Sequence, residues 1–449
     1  MLAVTARTDK LRWIARAGTY DSIINPLVMC VFLSFLLVGG DLAAIEAGPF
    51  HLKVAFATIF TGFLLAATLS RGQLAFNRTL FALSILFFLS AIMSIINSVS
   101  FSATAGYSFW LLYTFFIQVP LFYSVGRSIS VHEVYRLWFG VFRLTAALLV
   151  IQGVAWALFL GLRPGGELRP HLWFYEPSYA SIFFTAYSGA ALYLATMGQK
   201  WAFLDVAISL IVVFTLRSAT GAGGLITSIV LCMLISRYRM RLIVVVAGLG
   251  AILVPISIMY LIHNKGLMLM VGFLFQHVAS VGDLFQAILL RGGNRIIRLI
   301  YGWDAFIHHP LFGIGFGADK AYVATAAVPE LARPYVFPWS NYEDDPFINP
   351  FIEAAGTMGI PGLTVFALIV LQPIRRFIGL RRDLRDEVVL IKGVLVGFIA
   401  MFLVIQAEGT LLRPYLWSTF ALSLGAFDRW RASQRKAATP FSSGNVAEI

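Results

Sequence analysis

The 449-residue sequence is 59% hydrophobic and only 12% charged, with a mean hydropathy of +0.82, which excludes an ordinary soluble domain. The formal net charge of +12 could suggest nucleic acid, but the basic residues fall in short clusters between apolar runs, and no basic helix or aromatic platform follows. Cys30 and Cys232 both sit inside apolar runs, which leaves neither a disulfide framework nor a cysteine metal site.

Taking about 20 apolar residues as one crossing, the sequence predicts an all-α polytopic membrane protein. Its helices fall near 23–45, 54–70, 79–97, 108–126, 135–160, 175–197, 201–216, 222–236, 242–262, 347–372, 388–406 and 409–427. Arg7, Lys10, Arg12 and Arg16 precede a first run long enough to span, and no small-residue cleavage site ends it, so it reads as a helix rather than a signal peptide. Twelve crossings put both termini on one side. With that side cytoplasmic, its segments collect twenty-one Lys and Arg residues, among them Arg237, Arg239, Arg241 and the cluster from Arg375 to Arg385. The short outer loops hold only Lys53, Arg163, Arg169, Arg217 and Arg413, which is the positive-inside asymmetry.

Residues 266–290 are almost apolar enough to span, but Gln276, His277, Ser280 and Asp283 interrupt them. A crossing there would also turn the later basic clusters outward, so the stretch reads as an interfacial or re-entrant helix. The chain then divides into a transmembrane region of nine helices over 1–262, a large outer loop over 263–346, three further helices over 347–428 and a tail over 429–449. No internal repeat of the transporter kind is visible.

The loop carries Arg291, Arg295 and Arg298 at spacings of four and three, which one helix would set on one face. Two readings follow: a basic face against lipid headgroups, or a site where an anion offsets the repulsion. Arg217 begins the Gly-rich RSATGAGG turn between the seventh and eighth helices, and is either a snorkelling helix end or a phosphate clamp, for which a planar guanidinium is suited. In FYEPSYAS, from Phe174 to Ser181, Glu176 before Pro177 fits a helix start and equally a general base beside a membrane cavity. Other acids on the outer side include Glu343, Asp344, Asp345 and Glu353. His308 and His309 precede Pro310 without any metal-ligand spacing, so no metal and no cofactor is expected.

Three segments together carry a resemblance. HHPLFGIGFG at His308 to Gly317, NPFIEAAGTMGIPGL at Asn349 to Leu363, and RSATGAGGLIT are similar to motifs of the bacterial O-antigen ligase and O-antigen polymerase superfamily. Arg291 and Gly302, with ten residues between them, also match the polymerases' Arg-x10-Gly spacing. The likeness covers roughly residues 170–365, and the first five helices share only hydropathy with the family. It implies a metal-independent, inverting glycosyltransferase of the membrane-embedded GT-C type in the bacterial inner membrane, with its active face periplasmic and both termini cytoplasmic. The implied substrates are undecaprenyl-pyrophosphate-linked oligosaccharides, the implied partners membrane lipid, a chain-length regulator and a flippase. Glu176, Arg217 and Arg291 would be catalytic, with Arg295, Arg298, Arg163, Arg169 and Asn349 binding substrate. Ligases of the family carry His before the Asn; this chain has Ile348, which favours a polysaccharide polymerase over an O-antigen ligase or protein O-glycosyltransferase. A lipid-linked oligosaccharide transporter is the reading from another class, disfavoured by the lack of repeated halves.

Overall fold

The computed structural model describes residues 44–47, 52–55, 74–159, 177–216, 218–236, 293–336, 347–380, 383–407 and 411–438, with isolated positions at 61, 64, 172, 174, 243, 244, 248 and 409. The predicted spans near 23–45 and 242–262, most of that near 54–70, and the interfacial stretch 266–290 lie outside the described residues. The helices that matter for the site are α1 (Arg78–Met93, extended by a 3-10 turn Ser94–Asn97), α2 (Phe101–Leu112), α3 (Val119–Ser128), α4 (Val131–Phe159) and α5 (Pro177–Thr196). They continue with α6 (Ala202–Leu216), α7 (Ala219–Ile235), α8 (Gly293–His308), α9 (Asp319–Thr325), α10 (Pro350–Leu380), α11 (Asp386–Ile405) and α12 (Pro414–Ala438). A six-residue π-turn, Tyr113–Gln118, joins α2 to α3 just before Pro120, whose ring cannot donate the backbone bond a regular helix needs there.

Among the described residues, five helical stretches are long and apolar enough to cross a membrane: Arg78–Asn97, Phe101–Ser128, Val131–Ala155, Pro350–Leu380 and Asp386–Ile405. The fold is that of a polytopic helical membrane protein, with one addition that hydropathy misses. Ala44–Ala47 and Leu52–Ala55 pair as antiparallel strands, where hydropathy predicts a helix end, a loop and a helix start.

Helix α5 is the axis of the bundle. From Ala180 to Thr196 every residue is buried, against α6, α7 and α11. A helix wrapped on all sides by protein need not be uniformly apolar, and α5 accordingly carries Ser, Thr and Tyr along its length. Close approach is achieved with small residues, as expected where lipid offers no hydrophobic drive between helices. At the α3–α12 crossing a Cβ on Gly126 would lie 2.5 Å from Leu422 O, and one on Gly425 2.3 Å from Tyr123 O. The Gly-rich stretch after Arg217 does the same for α7 rather than forming an open turn. The helix already begins at Ala219, and its Gly224 packs directly on Thr185 of α5.

Buried charge inside the bundle is paired. Arg143 of α4 donates through Nε (2.7 Å) and Nη2 (2.9 Å) to the two oxygens of Asp205 on α6, and the Tyr187 hydroxyl donates to Asp205 Oδ1 at 2.5 Å. The end of the bundle holding the α3, α10 and α12 termini is also well partnered. Asp428 accepts from Asn77 (2.9 Å) and Tyr123 (2.7 Å) and faces Arg376 at 3.6 Å, while Asp383 pairs with Arg385 at 2.5 Å. The Arg385 guanidinium holds the Asp383 carboxyl below the usual carboxylate range, against a smaller opposing effect of burial. This is the basic end; the opposite, loop end is built differently.

Candidate functional site at the loop end

The loop end is organised by a break in α10. Gly359 takes φ 68° and ψ −163°, and Pro361 follows, so the helix loses its ladder at one point. In an unbroken helix the carbonyls of Gly356 and Thr357 would accept from residues 360 and 361. Here Pro361 has no N–H, and the Ile360 N–H turns away to Pro310 O (2.8 Å). The two stranded carbonyls are taken by the segment His308–Gly317: Ile314 N donates to Gly356 O at 3.0 Å and Gly315 N to Thr357 O at 3.1 Å. The Pro-Leu-Phe-Gly-x-Gly-x-Gly segment is thus a strap that caps the broken helix.

The other edge of the strap is tied to the first helices. Val99 N donates to Ile314 O (3.0 Å), and Phe316 N to the Ser94 hydroxyl (2.9 Å). The strap needs its three glycines because all have positive φ and no room. A Cβ on Gly313 would meet the Thr357 carbonyl carbon at 2.2 Å, one on Gly315 the Ser98 hydroxyl at 2.4 Å, and one on Gly317 the Tyr107 ring at 2.1 Å. The glycines therefore serve backbone approach to protein.

Behind the strap, α9 and the start of α10 place two acids in the interior. Asp319, 2% exposed, accepts from Phe347 N at 2.7 Å through Oδ2, while its Oδ1 is buried without a hydrogen-bond partner. Burial raises its carboxyl above the ordinary range, more than the N–H groups of Phe347, Asp319 and Lys320 draw it down. Glu353, 3% exposed, accepts from Leu411 N at 2.9 Å and so fastens α10 to the turn between α11 and α12. Gly409 in that turn, at φ 76°, passes directly over Phe347 O.

The same turn delivers Arg413. Its guanidinium carbon lies 3.5 Å from the centre of the Tyr179 ring in the first turn of α5, and its Nε is buried without a hydrogen-bond partner. It forms no ion pair with a described carboxylate. Burial draws its pKa down, but Tyr415, Tyr179 and Glu353 together push it further up, so the group stays cationic. Asp319, Glu353, Arg413 and Tyr179 all lie within electrostatic reach of Tyr107, so α2, α5, α9, α10 and the α11–α12 turn converge here.

Residues 205–367 match the family model described as O-antigen ligase. The match covers a little over a third of the chain. The match supports the O-antigen ligase and polymerase superfamily that the motifs resemble, and the apolar helices fit a membrane protein. The family domain runs from α6 through the strap into the broken helix, so both halves of the strap-and-break unit lie within it, while Tyr179 and Arg413 flank it on either side. A comparison with curated proteins finds no match.

Of the residues singled out from sequence, Glu176, Arg217, Arg291, Arg163, Arg169 and the acids Glu343, Asp344 and Asp345 lie outside the described residues. Glu176 and Arg217 immediately precede described segments, at Pro177 of α5 and Ser218 before α7. Arg295 and Arg298 do not share one environment on α8: Arg298 is buried, packed towards the protein, whereas Arg295 is exposed on a flank continued by Leu299, Trp303 and Ile307. Asn349 takes φ 67°, and its side chain accepts from Phe351 N (2.9 Å) and Ile352 N (3.3 Å), which makes it the cap of α10. Ile348, beside it, is buried. Among the described residues no three His, Cys, Asp or Glu side chains gather to hold a metal. Sequence reasoning counted Arg413 only as an outer-loop charge. The signal that could have raised it is an arginine preceding a proline-started helix whose first turns, PYLWS, are aromatic.

Proposed function

We propose that this chain is a polysaccharide polymerase, joining oligosaccharide repeat units carried on undecaprenyl pyrophosphate at the loop end of the bundle, on the periplasmic face of the bacterial inner membrane. The observation that supports it is the convergence of the strap, the broken helix and the start of α5 at one end of the molecule, where Arg413 and two buried acids lie around Tyr107. A single elaborated end suits chemistry on one face of a membrane better than alternating access.

In the proposed reaction a sugar hydroxyl of one lipid-linked unit attacks the anomeric carbon of another. The new glycosidic C–O bond forms as the bond to pyrophosphate breaks, and the departing lipid pyrophosphate keeps the electron pair. Glu176, directly before Pro177, accepts the hydroxyl proton, and Arg217 and Arg291 stabilise the charge growing on the leaving group. Arg295, Arg298, Arg163, Arg169 and Asn349 serve binding and positioning around them, Asn349 through the geometry of the α10 start. The pyrophosphate linkage is itself the activated bond. A chain-length regulator and a flippase belong to the same proposal as partners.

The match to an O-antigen ligase family favours a ligase; Ile348, an apolar side chain where the resembling ligases carry His, favours a polymerase. Deletion separates them. Loss of a polymerase leaves single repeat units attached to their acceptor and removes long chains, whereas loss of a ligase leaves long chains on the lipid carrier. In the same strain Glu176→Gln at normal protein level should remove most polymer, because the amide accepts hydrogen bonds but not the proton; near-normal polymer would leave Glu176 as a helix start only.

A further inference from the structure

One flank of α4, near the basic end, carries residues that a lipid-facing surface does not call for. Arg136, Gly140 and Arg143 follow one another at spacings of four and three and are all exposed, whereas Leu144, Ile151 and Val154 continue the flank with apolar side chains. Arg143 therefore stands on a membrane-crossing helix with 41% of its side chain exposed. A charge in that position is stable only if it reaches the headgroup layer or meets an anion. Its Nε and Nη2 are fixed on Asp205, yet that pair leaves the group half exposed. The glycine between the two arginines is a second, independent feature. Gly126 and Gly425 admit a neighbouring backbone, but a Cβ on Gly140 would meet no described atom within 4 Å, so packing does not require a residue that weakens a helix. The result is a notch with an arginine on either side. Its depth is marked by Trp201, whose ring packs on Tyr135 (4.7 Å) and Phe139 (5.9 Å) of the same stretch of α4. Lys200 and Trp201, both exposed in the turn between α5 and α6, are residues of the membrane boundary, and Arg143 lies one turn beyond Phe139, just inside it.

We infer that the α4 notch, between Arg136 and Arg143 and beside Lys200, binds the headgroup of an anionic phospholipid in the membrane leaflet at the basic end of the bundle. The acids close by are already engaged: Asp205 holds Arg143, and Glu133 accepts from Ser130 N at 2.8 Å at the start of α4, which leaves the exposed groups cationic. A dissolved anion would have to leave water to reach a notch just inside the boundary, whereas a lipid phosphate is already at that depth. The chains of the same lipid then run along Leu144 and Ile151. Asp205 and Tyr187 act as positioning groups, because they set the guanidinium edge that the headgroup meets. Arg136, Gly140, Arg143 and Lys200 all precede the matched family segment and lie at the end of the bundle opposite the strap, so the site is independent of the reaction proposed above.

The test is a titration of the full-length protein in detergent with phosphatidylglycerol and, separately, with phosphatidylcholine, the bound lipids being counted by native mass spectrometry. Wild type, Arg136→Gln, Gly140→Leu and Arg375→Gln are compared. Arg136→Gln removes one charged contact, so affinity for the first phosphatidylglycerol should fall about tenfold. Gly140→Leu fills the notch with a good helix former and leaves every charge in place; it should weaken the same step by a similar factor, and it keeps the test open if Arg136→Gln fails to fold. Arg375, exposed elsewhere at the basic end, is the control, and its substitution should leave the first binding step unchanged. Phosphatidylcholine should bind all four proteins alike and more weakly. Equal affinity of the wild type for the two lipids, wild-type affinity in both α4 variants, or an equal loss in Arg375→Gln, which is the mark of a diffuse basic face, overturns the inference. Displacement of the lipid by millimolar inorganic phosphate would also overturn it, by making the ligand a free anion. Because the readout needs no glycosyl transfer, a chain that proved to be a ligase would still show the α4 effect, and a polymerase without that effect would overturn this inference alone.

Discussion

The interior of the bundle and its loop end treat a buried carboxylate in opposite ways. Arg143, Asp205 and Tyr187 form a closed set in which both carboxylate oxygens are used. At the basic end Asp428 likewise gathers Asn77, Tyr123 and Arg376, although the Arg376 Nε is buried without a hydrogen-bond partner. The loop end closes its backbone with equal care, since the strap satisfies the carbonyls freed at Gly359, yet leaves side chains open: Nε of Arg413 and Oδ1 of Asp319. Satisfied polar sets hold a fold together, whereas open ones cost stability and persist where something else uses them.

That contrast makes its sharpest claim about the two arginines. Arg143→Met leaves Asp205, 0% exposed, with only Tyr187, and should destabilise the protein by about 3 kcal/mol; the figure is at the low end for a broken buried pair because Arg143 itself is 41% exposed. Arg413→Met removes a charge that forms no ion pair with a described carboxylate, although Glu353 favours it electrostatically, and should stay within about 1 kcal/mol of wild type, with the lost stacking on Tyr179 as its main cost. Equilibrium unfolding in mixed micelles measures both, and equal losses would erase the distinction.

The closed backbone of the loop end can be broken separately. Gly313→Ala sets a methyl group against the Thr357 carbonyl at positive φ, and should cost about 2 to 3 kcal/mol and detach the strap from α10. Faster proteolysis between α8 and α9 would report the detachment, and an unchanged cleavage rate would show that the strap is not held by the break.

A smaller effect is expected from Asp319. Its carboxyl is raised in the folded protein, so the native state holds the proton more tightly than the unfolded chain does. The stability it contributes is complete below the unfolded pKa, about 3.9, and is lost as pH rises through the raised folded value. Asp319→Asn should remove this component of the pH dependence while keeping an acceptor for Phe347 N. If the variant's stability followed pH as the wild type's does, the buried carboxyl would not be the group responsible.

These outcomes bear on what the sequence could tell. The span near 388–406 was legible almost to the residue as α11, because an apolar run of membrane length has few alternatives. The span near 347–372 was legible as apolar but not as broken, although Gly359 and Pro361 carried the signal; the break matters only because the strap arrives to cap it. The start of α12 moved from 409 to Pro414, since hydropathy counts the turn's Leu411 and Leu412 as membrane when they form the seat of Arg413. The partnerships of the interior were not legible at all. Arg143 and Asp205 are 62 positions apart, Glu353 and Leu411 58, and no local pattern joins them. The three loop arginines were placed on one face by spacing alone, and the structure separates Arg295 from Arg298, because on a helix that packs on α10 one flank is buried and the other is not.

The most direct measurement of the central claim is made on the purified, reconstituted protein supplied with single repeat units linked to undecaprenyl pyrophosphate, with the lipid-linked products resolved by mass. A ladder of two, three and more repeats on one lipid, with free undecaprenyl pyrophosphate released at each step, is the result expected. Transfer of single units to a different acceptor without any ladder, or no transfer by a folded protein that binds pyrophosphate, would contradict the polymerase.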